Sequence, residues 1–264
     1  MQTGEMVRPE LRYIRVSMSE PLETAEDLLS IIPSETVVSN KELPRMLIYS
    51  GTIDRTLGVM RAVCNARGNP DDINNGISDC IRRYHSLTGE EDKKERAREF
   101  GVEEKFPILS CTPAFEFGQS FKPVKIVVIM GAMDPSISNL IGGRAGRNVD
   151  CGLVIHFVQP NMPNSPNTAS EVVVTDTMNN EERMHAFRLT PCCLRAAYNM
   201  DMDILYRYIP MSLTDPGYLA EMERQRTAGM AVCRCSNCDP QGAARVLRLL
   251  PQTKAADLDA LIKS

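Results

Sequence analysis

Met46-Leu47-Ile48-Tyr49-Ser50 is apolar almost throughout, breaks at Gly51-Thr52, and passes into residues 53–67, where Ile53, Leu57, Met60 and Cys64 fall on one helical stripe. A short apolar run without polar alternation suits a strand covered on both faces, and the switch of period from strand to helix marks a crossover. The same unit repeats outward from it. Runs at residues 11–16, 80–84, 108–111, 124–129 and 153–158 read as further strands, with helical patterns between them. Thr88 is placed to cap a helix ending near Phe100 and Gly101, and residues 136–147 supply another. Such alternation predicts an α/β fold: a mostly parallel sheet with helices on both faces, its ligands gathering at the carboxyl ends of the strands.

The 264 residues suffice for one or two domains, and a hydrophobic content of 43% supports a sizeable core. No run of about eighteen apolar residues occurs, and the N-terminal stretch lacks a leader pattern. The expectation is a nuclear or otherwise intracellular protein with no membrane partner. A formal net charge of −4 excludes a protein-wide positive field for nucleic acid and leaves that work to local clusters. One basic cluster, Arg82, Arg83, Lys93, Lys94, Arg96, Arg98 and Lys105, is interleaved with Glu90, Glu91, Asp92, Glu95 and Glu99. At helical spacing it reads as a solvated, self-paired face.

After Gln159 the texture changes, because Pro160, Pro163 and Pro166 with several Asn and Ser make a loop that cannot continue a sheet interior. We place a domain boundary there, between residues 1–159 and 160–264. Helices are expected beyond it at residues 180–189, 192–199 and 243–250. Five of the nine cysteines are scattered in or beside predicted strands and helices, as buried thiols of a reducing compartment would be. The other four form a pattern. Cys233-Arg234-Cys235-Ser236-Asn237-Cys238 sets three thiols within six residues, and Cys193 stands upstream at the start of a helix. Four soft ligands are thus available for tetrahedral zinc, the alternative being free thiols of a decayed site.

The most specific segment is Gly143-Arg144-Ala145-Gly146-Arg147. Two arginines three apart share a face of the predicted helix, and guanidinium forks suit phosphate oxygens. The plainer alternative is a pair of surface arginines whose glycines permit close packing. Upstream of this segment, Leu47-Ile48-Tyr49-Ser50 and Tyr84-His85-Ser86 each end a predicted strand, and Cys111-Thr112-Pro113-Ala114-Phe115-Glu116-Phe117-Gly118 runs on from the end of another. In this order and spacing the four elements resemble those of the second RecA-like, P-loop NTPase-type domain of superfamily-2 helicases. The Tyr-His-Ser and Ala-Phe-x-x-Gly elements resemble the RecQ branch, the fungal-type RecQ-like proteins in particular. The resemblance covers about residues 11–158 well and 185–240 loosely.

It implies the C-terminal half of an ATP-dependent 3′-to-5′ DNA helicase, a RecA-like sheet followed by a small, mostly helical, zinc-binding subdomain. By that resemblance Gly118, Ser120, Gly143, Arg144 and Arg147 face ATP and its Mg2+, and Arg144 and Arg147 are catalytic, one of them an arginine finger. Ser50, His85, Ser86 and Thr112 would hold phosphates of single-stranded or partly duplex DNA. Zn2+ would be held by Cys193, Cys233, Cys235 and Cys238, with Cys233 replacing the cysteine expected at Gln241. Three further departures stand out: Glu116 where a glycine is expected, Ser120 in place of an acidic or amide residue, and Leu140 in place of glutamine. Each removes a polar contact or adds a side chain. No Gly-x-x-x-x-Gly-Lys-Ser/Thr and no Asp-Glu occurs, and only about ten residues precede Leu11. The phosphate cradle and the magnesium carboxylate are therefore expected on a separate first motor domain. The alternative is a non-catalytic, helicase-derived protein that binds nucleic acid or a partner.

Overall fold

The computed structural model describes residues 7–115, 124–146, 150–175, 178–202 and 207–264. Six strands form one sheet: β1 (Leu11–Ser17), β2 (Met46–Ser50), β3 (Ile81–Tyr84), β4 (Ile108–Cys111), β5 (Ile126–Met130) and β6 (Gly152–Val158). Their order is β1-β6-β5-β2-β4-β3, and every neighbouring pair is parallel. All carboxyl ends therefore share one edge and all amino ends the other. The predicted strands are present, each end within two residues of its expected place.

Alternation along the strands explains the layers. Met46 and Ile48 of β2 enter one apolar cluster and Leu47 and Tyr49 the other, and β5 divides likewise into Ile126, Val128 and Met130 against Val127 and Ile129. A sheet apolar on both faces needs two covers. On the first face lies α1 (Ile53–Arg67), with Val59, Met60, Val63 and Cys64 turned inward. On the second lie α2 (Glu90–Arg98) through Ala97 and α3 (Pro135–Gly142) through Ile141. The chain beyond residue 160 completes both covers. α4 (Asn180–Leu189) and α5 (Leu194–Met202) join the second face, with α6 (Pro216–Thr227) against α5. α7 (Pro240–Leu249) and α8 (Leu258–Lys263), the latter not foreseen, join the first. This is the α/β class that the alternation predicted, a parallel sheet with helices on both faces. Among the described residues no helix is long and apolar enough to cross a membrane.

Two helix ends differ from expectation. The Thr88 hydroxyl does not cap α2; it accepts the His85 amide at 3.1 Å, and Gly89 takes the N-cap position. The helix predicted over residues 136–147 stops at Gly142. Asp134 starts it by accepting the Ser136 and Ile137 amides, but Arg144 and Ala145 lie in tight turns closed on Ile141 and Gly142. Gly146, at φ +66, then sends the chain against Val124, whose carbonyl accepts its amide at 2.9 Å. Arg144 thus sits in a turn, not on a helix face. Arg147, Glu116, Gly118 and Ser120 lie outside the described residues.

β1, at the sheet edge, anchors the tail. Buried Arg12 donates to the carbonyls of Arg234, Ile262 and Ser264, and Arg15 donates to those of Phe187 and Thr190. Guanidinium groups buried in a strand are tolerated because those carbonyls satisfy them. The Ser236 amide bonds the Tyr13 carbonyl and its hydroxyl accepts the Arg15 amide, both at 3.0 Å. The cysteine loop is thereby laid along the free side of β1.

Candidate functional site

The register aligns Tyr49 of β2 with Cys111 of β4, and Cys111 with Tyr84 of β3. Ser50, Thr112 and His85 are therefore the next residues on three adjacent strands, at a strand spacing of about 4.8 Å. Ser50 is 1% exposed and its hydroxyl has no hydrogen-bond partner; Thr112 is also buried, and Ser86 is exposed. The His85 Nδ1 is buried and unpaired. Burial lowers its pKa from the ordinary histidine value, and the charges of Arg83, Arg96 and Lys93 lower it further. The imidazole is thus neutral, in a positive field.

That field has a source which the sequence reading placed in the self-paired group. Most of the group is self-paired as expected: Lys93 with Glu90, Lys94 with Glu91, Lys105 and Arg82 with Glu99. Arg83 instead donates to the Thr56 hydroxyl and the Ile53 carbonyl, and Arg96 donates to the Arg83 carbonyl. Both line a cleft of about 330 Å³ together with His85 and Thr88. The signal available in the sequence was an arginine one place before the strand-ending Tyr84.

The arginine segment lies at the opposite edge. Ala145 bridges Val124, ahead of β5, and Gly146 packs on Gly152, which opens β6. The seven residues of β6 separate the two edges by about 20 Å. Ser50, Thr112 and His85 are brought together; Gly143 and Arg144 are not brought to them. Gly143 and Arg144 line a second cleft, of about 370 Å³, with Arg8, Tyr13, Arg195 and Tyr198. The Arg8 guanidinium donates to the Gly143 carbonyl at 3.1 Å. Leu140, 51% exposed, stands in its lining. Arg8 and Tyr198 carried no sequence motif, and Arg195 stood only beside the helix-opening Cys193.

The cysteine pattern converges. The sulfurs of Cys193, Cys233, Cys235 and Cys238 lie within 4.8 Å of one another. Four thiolates around zinc at about 2.3 Å stand about 3.8 Å apart, so the cluster has the size such an ion needs. Cys193 sits immediately before α5, and the Leu194 amide donates to the Cys235 sulfur at 3.3 Å. Hydrogen bonds from Cys193, then Cys233 and Cys238, together with that amide, hold the Cys235 thiol well below its ordinary range. The Cys193 amide donates to the Tyr218 hydroxyl, and Asn237 donates to the carbonyls of Thr190 and Cys192, so the ligand-bearing backbone is held from outside as well. Gln241, where the resemblance expects a cysteine, is exposed on α7, and Cys233 occupies the cluster. Cys192 is buried but is not part of it.

No family model matches the chain, and no curated protein does. Among solved structures it is similar to the DUF1998 helicase MrfA bound to DNA and AMPPNP, at 14% identity over 57% of this chain and 20% of that one, TM-score 0.40. MrfA bound to DNA gives 15% identity over 83% of this chain and 30% of that one, TM-score 0.43. The Escherichia coli DEAD-box protein SrmB, bound to regulator of ribonuclease activity A, gives 18% identity over 57% of this chain and 77% of that one, TM-score 0.40. This chain therefore spans less than a third of the MrfA chains. At such distances its function has to be argued from its own residues.

Proposed function

We propose that this chain is the C-terminal half of a RecQ-like ATP-dependent 3′-to-5′ DNA helicase, a second motor domain over residues 1–159 with a zinc-bearing tail over residues 160–264. The observation that carries the reading is the division of labour between the sheet edges. Ser50, Thr112 and His85 stand side by side at the carboxyl edge next to the Arg83 and Arg96 cleft, while Arg144 lines a separate cleft at the amino edge. Hydroxyl, imidazole and guanidinium groups in a row suit the phosphates of single-stranded or partly duplex DNA and position a strand without reading its sequence. A guanidinium at the other edge suits charge developing on a phosphoryl group presented by a second surface.

ATP and Mg2+, when bound, supply the phosphoryl group and its countercharge, and the chain lacks the Walker sequences to cradle them. A first motor domain, in the same polypeptide or a separate one, completes the site. What this chain contributes is orientation and charge: Arg8 holds the Gly143 carbonyl and so fixes the turn that carries Arg144. Cys193, Cys233, Cys235 and Cys238 are the residues that would hold zinc, which would lock the loop along β1.

The test is steady-state phosphate release, with and without single-stranded DNA, by the isolated chain and by the chain paired with a cognate first motor domain. The isolated chain should show no turnover and the pair DNA-stimulated turnover. In the pair, Arg144→Ala or Arg147→Ala should lower it by about 10³-fold, with nucleotide binding less affected. Hydrolysis by the isolated chain, or unchanged turnover in both variants, would overturn the assignment. A second reading, a non-catalytic nucleic-acid-binding protein, is favoured by Leu140, an exposed apolar residue in the arginine cleft where the helicase pattern has glutamine. Salt-sensitive DNA binding with no turnover in any pair would select it.

A further inference from the structure

We propose that Cys238 is a peroxide-reactive thiol whose oxidation pairs it with Cys235 in a disulfide, costs the cluster its zinc and uncouples α5 from the cysteine loop. This deepens the reading of the cluster given above by adding regulation to it, and rests on that reading for the metal. The four thiols are not evenly sealed. Cys193, Cys233 and Cys235 are at most 7% exposed, whereas Cys238 is open to solvent. A thiol that reacts must be both deprotonated and reachable, and a coordinating metal keeps its thiols deprotonated. Cys238 alone in the chain meets both conditions. Cys64, Cys80, Cys111, Cys151 and Cys192 are all buried, and burial also pushes Cys64 up to about 11 and Cys80 up to about 12.

The resolving partner is set by the chain path. Cys235 and Cys238 are the two ends of a tight turn, the Cys238 amide donating to the Cys235 carbonyl at 3.0 Å. Such a turn keeps its end Cα atoms within about 7 Å. A disulfide needs them about 4.4–6.8 Å apart, and the two sulfurs already lie within 4.8 Å of one another. Cys193 belongs to another element and Cys233 lies outside the turn. The chemistry balances with hydrogen peroxide as oxidant. Attack by the Cys238 thiolate breaks the O–O bond and leaves a sulfenic acid and hydroxide, and the Cys235 thiolate then displaces a second hydroxide from that sulfur. Two thiolates lose an electron pair, and the peroxide gains it. Cys193 and Cys233 remain, too few ligands for a site that takes four. The loop itself stays on β1, because its bonds through Ser236 and Arg12 involve no sulfur. What is lost is its tie to α5 through Cys193.

The experiment treats the full chain, purified without chelator, with hydrogen peroxide. A chromogenic indicator follows zinc, dimedone traps sulfenic acid, and mass spectrometry of unreduced digests maps disulfides. Dimedone should label Cys238 first, the mapped bond should join Cys235 to Cys238, and released zinc should approach about one per chain. Amide exchange should quicken along α5 but not along β1. Cys238→His keeps a zinc donor without a thiol and should slow release at least about tenfold, while Cys233→His keeps the exposed thiol and should release like the parent. Labelling and mapping on the parent decide the matter even where a histidine variant fails to fold. First labelling of any other cysteine, a bond other than Cys235 to Cys238, or equal release from the parent and Cys238→His overturns the proposal. A chain isolated with only traces of zinc that still forms this disulfide would sink the zinc reading and keep the thiol pair. A zinc-loaded chain that resists peroxide would do the reverse.

Discussion

Gly146→Ala separates the two roles that the Gly-Arg-Ala-Gly-Arg segment could have. Gly146 has φ +66, and a Cβ there would lie 3.0 Å from the Gly152 nitrogen, 3.1 Å from its Cα and 3.2 Å from the Cys151 carbonyl carbon. Every one of those atoms is backbone, and Gly152 is held by its own bond to the Glu10 carbonyl at 3.0 Å. Left-handed backbone costs alanine about 1 kcal/mol, and crowding a packed contact that cannot shift costs about 1–3 kcal/mol more. For a chain of this size about 2–4 kcal/mol corresponds to a melting temperature lowered by about 5–15 °C. Gly229 supplies the control, since its φ is +68 but nothing lies within 4 Å of its Cβ position. Gly229→Ala should show the backbone cost alone, a fall of only a few degrees. The assay is thermal unfolding of both variants beside the parent, checked by urea midpoints. Equal losses in the two variants would mean that the close approach of Gly146 to β6 is not what that glycine serves. A larger loss for Gly146→Ala should come with lower turnover in the reconstituted pair, because the turn that would have to move carries Arg144 two residues earlier.

Protein purified without chelator should carry about one zinc per chain, and Cys235→Ser should lower both metal content and melting temperature; a parent with only traces of zinc would favour free thiols. Single-stranded DNA should bind weakly, without sequence preference and less tightly as salt rises, because phosphate contacts dominate. In a fluorescence titration Arg83→Ala and Arg96→Ala should each weaken that binding and reduce its salt slope by about one; salt-independent or sequence-restricted binding would remove the carboxyl edge from the DNA path.

The parts legible in the sequence were those decided by residues close together in the chain. Strands covered on both faces must be apolar at consecutive positions, so all six showed themselves, and thiols two or three apart with a helix-opening cysteine upstream declared a soft-metal pattern. What remained hidden depends on pairs that meet only in the fold. The end of α3 is set by Gly146 meeting Gly152, and Thr88 is drawn from its expected cap by the His85 amide. Nothing in residues 11–16 tells that Arg12 and Arg15 anchor the tail, because the carbonyls that satisfy them lie far along the chain.

The place of Tyr198 was hidden for the same reason, yet it and that of Arg195 follow from the cysteine pattern once α5 is seen. Cys193 stands one residue before that helix, so Arg195 and Tyr198 lie about 3 Å and 8 Å along its axis from the sulfur-bearing residue. A helix segment that short does not bend, and whatever fixes its first residue fixes the wall of the arginine cleft. On the proposed reading, zinc at the four sulfurs therefore does more than close a loop. It sets the orientation of the one wall of the cleft that comes from the tail, the wall that carries Arg195 and Tyr198.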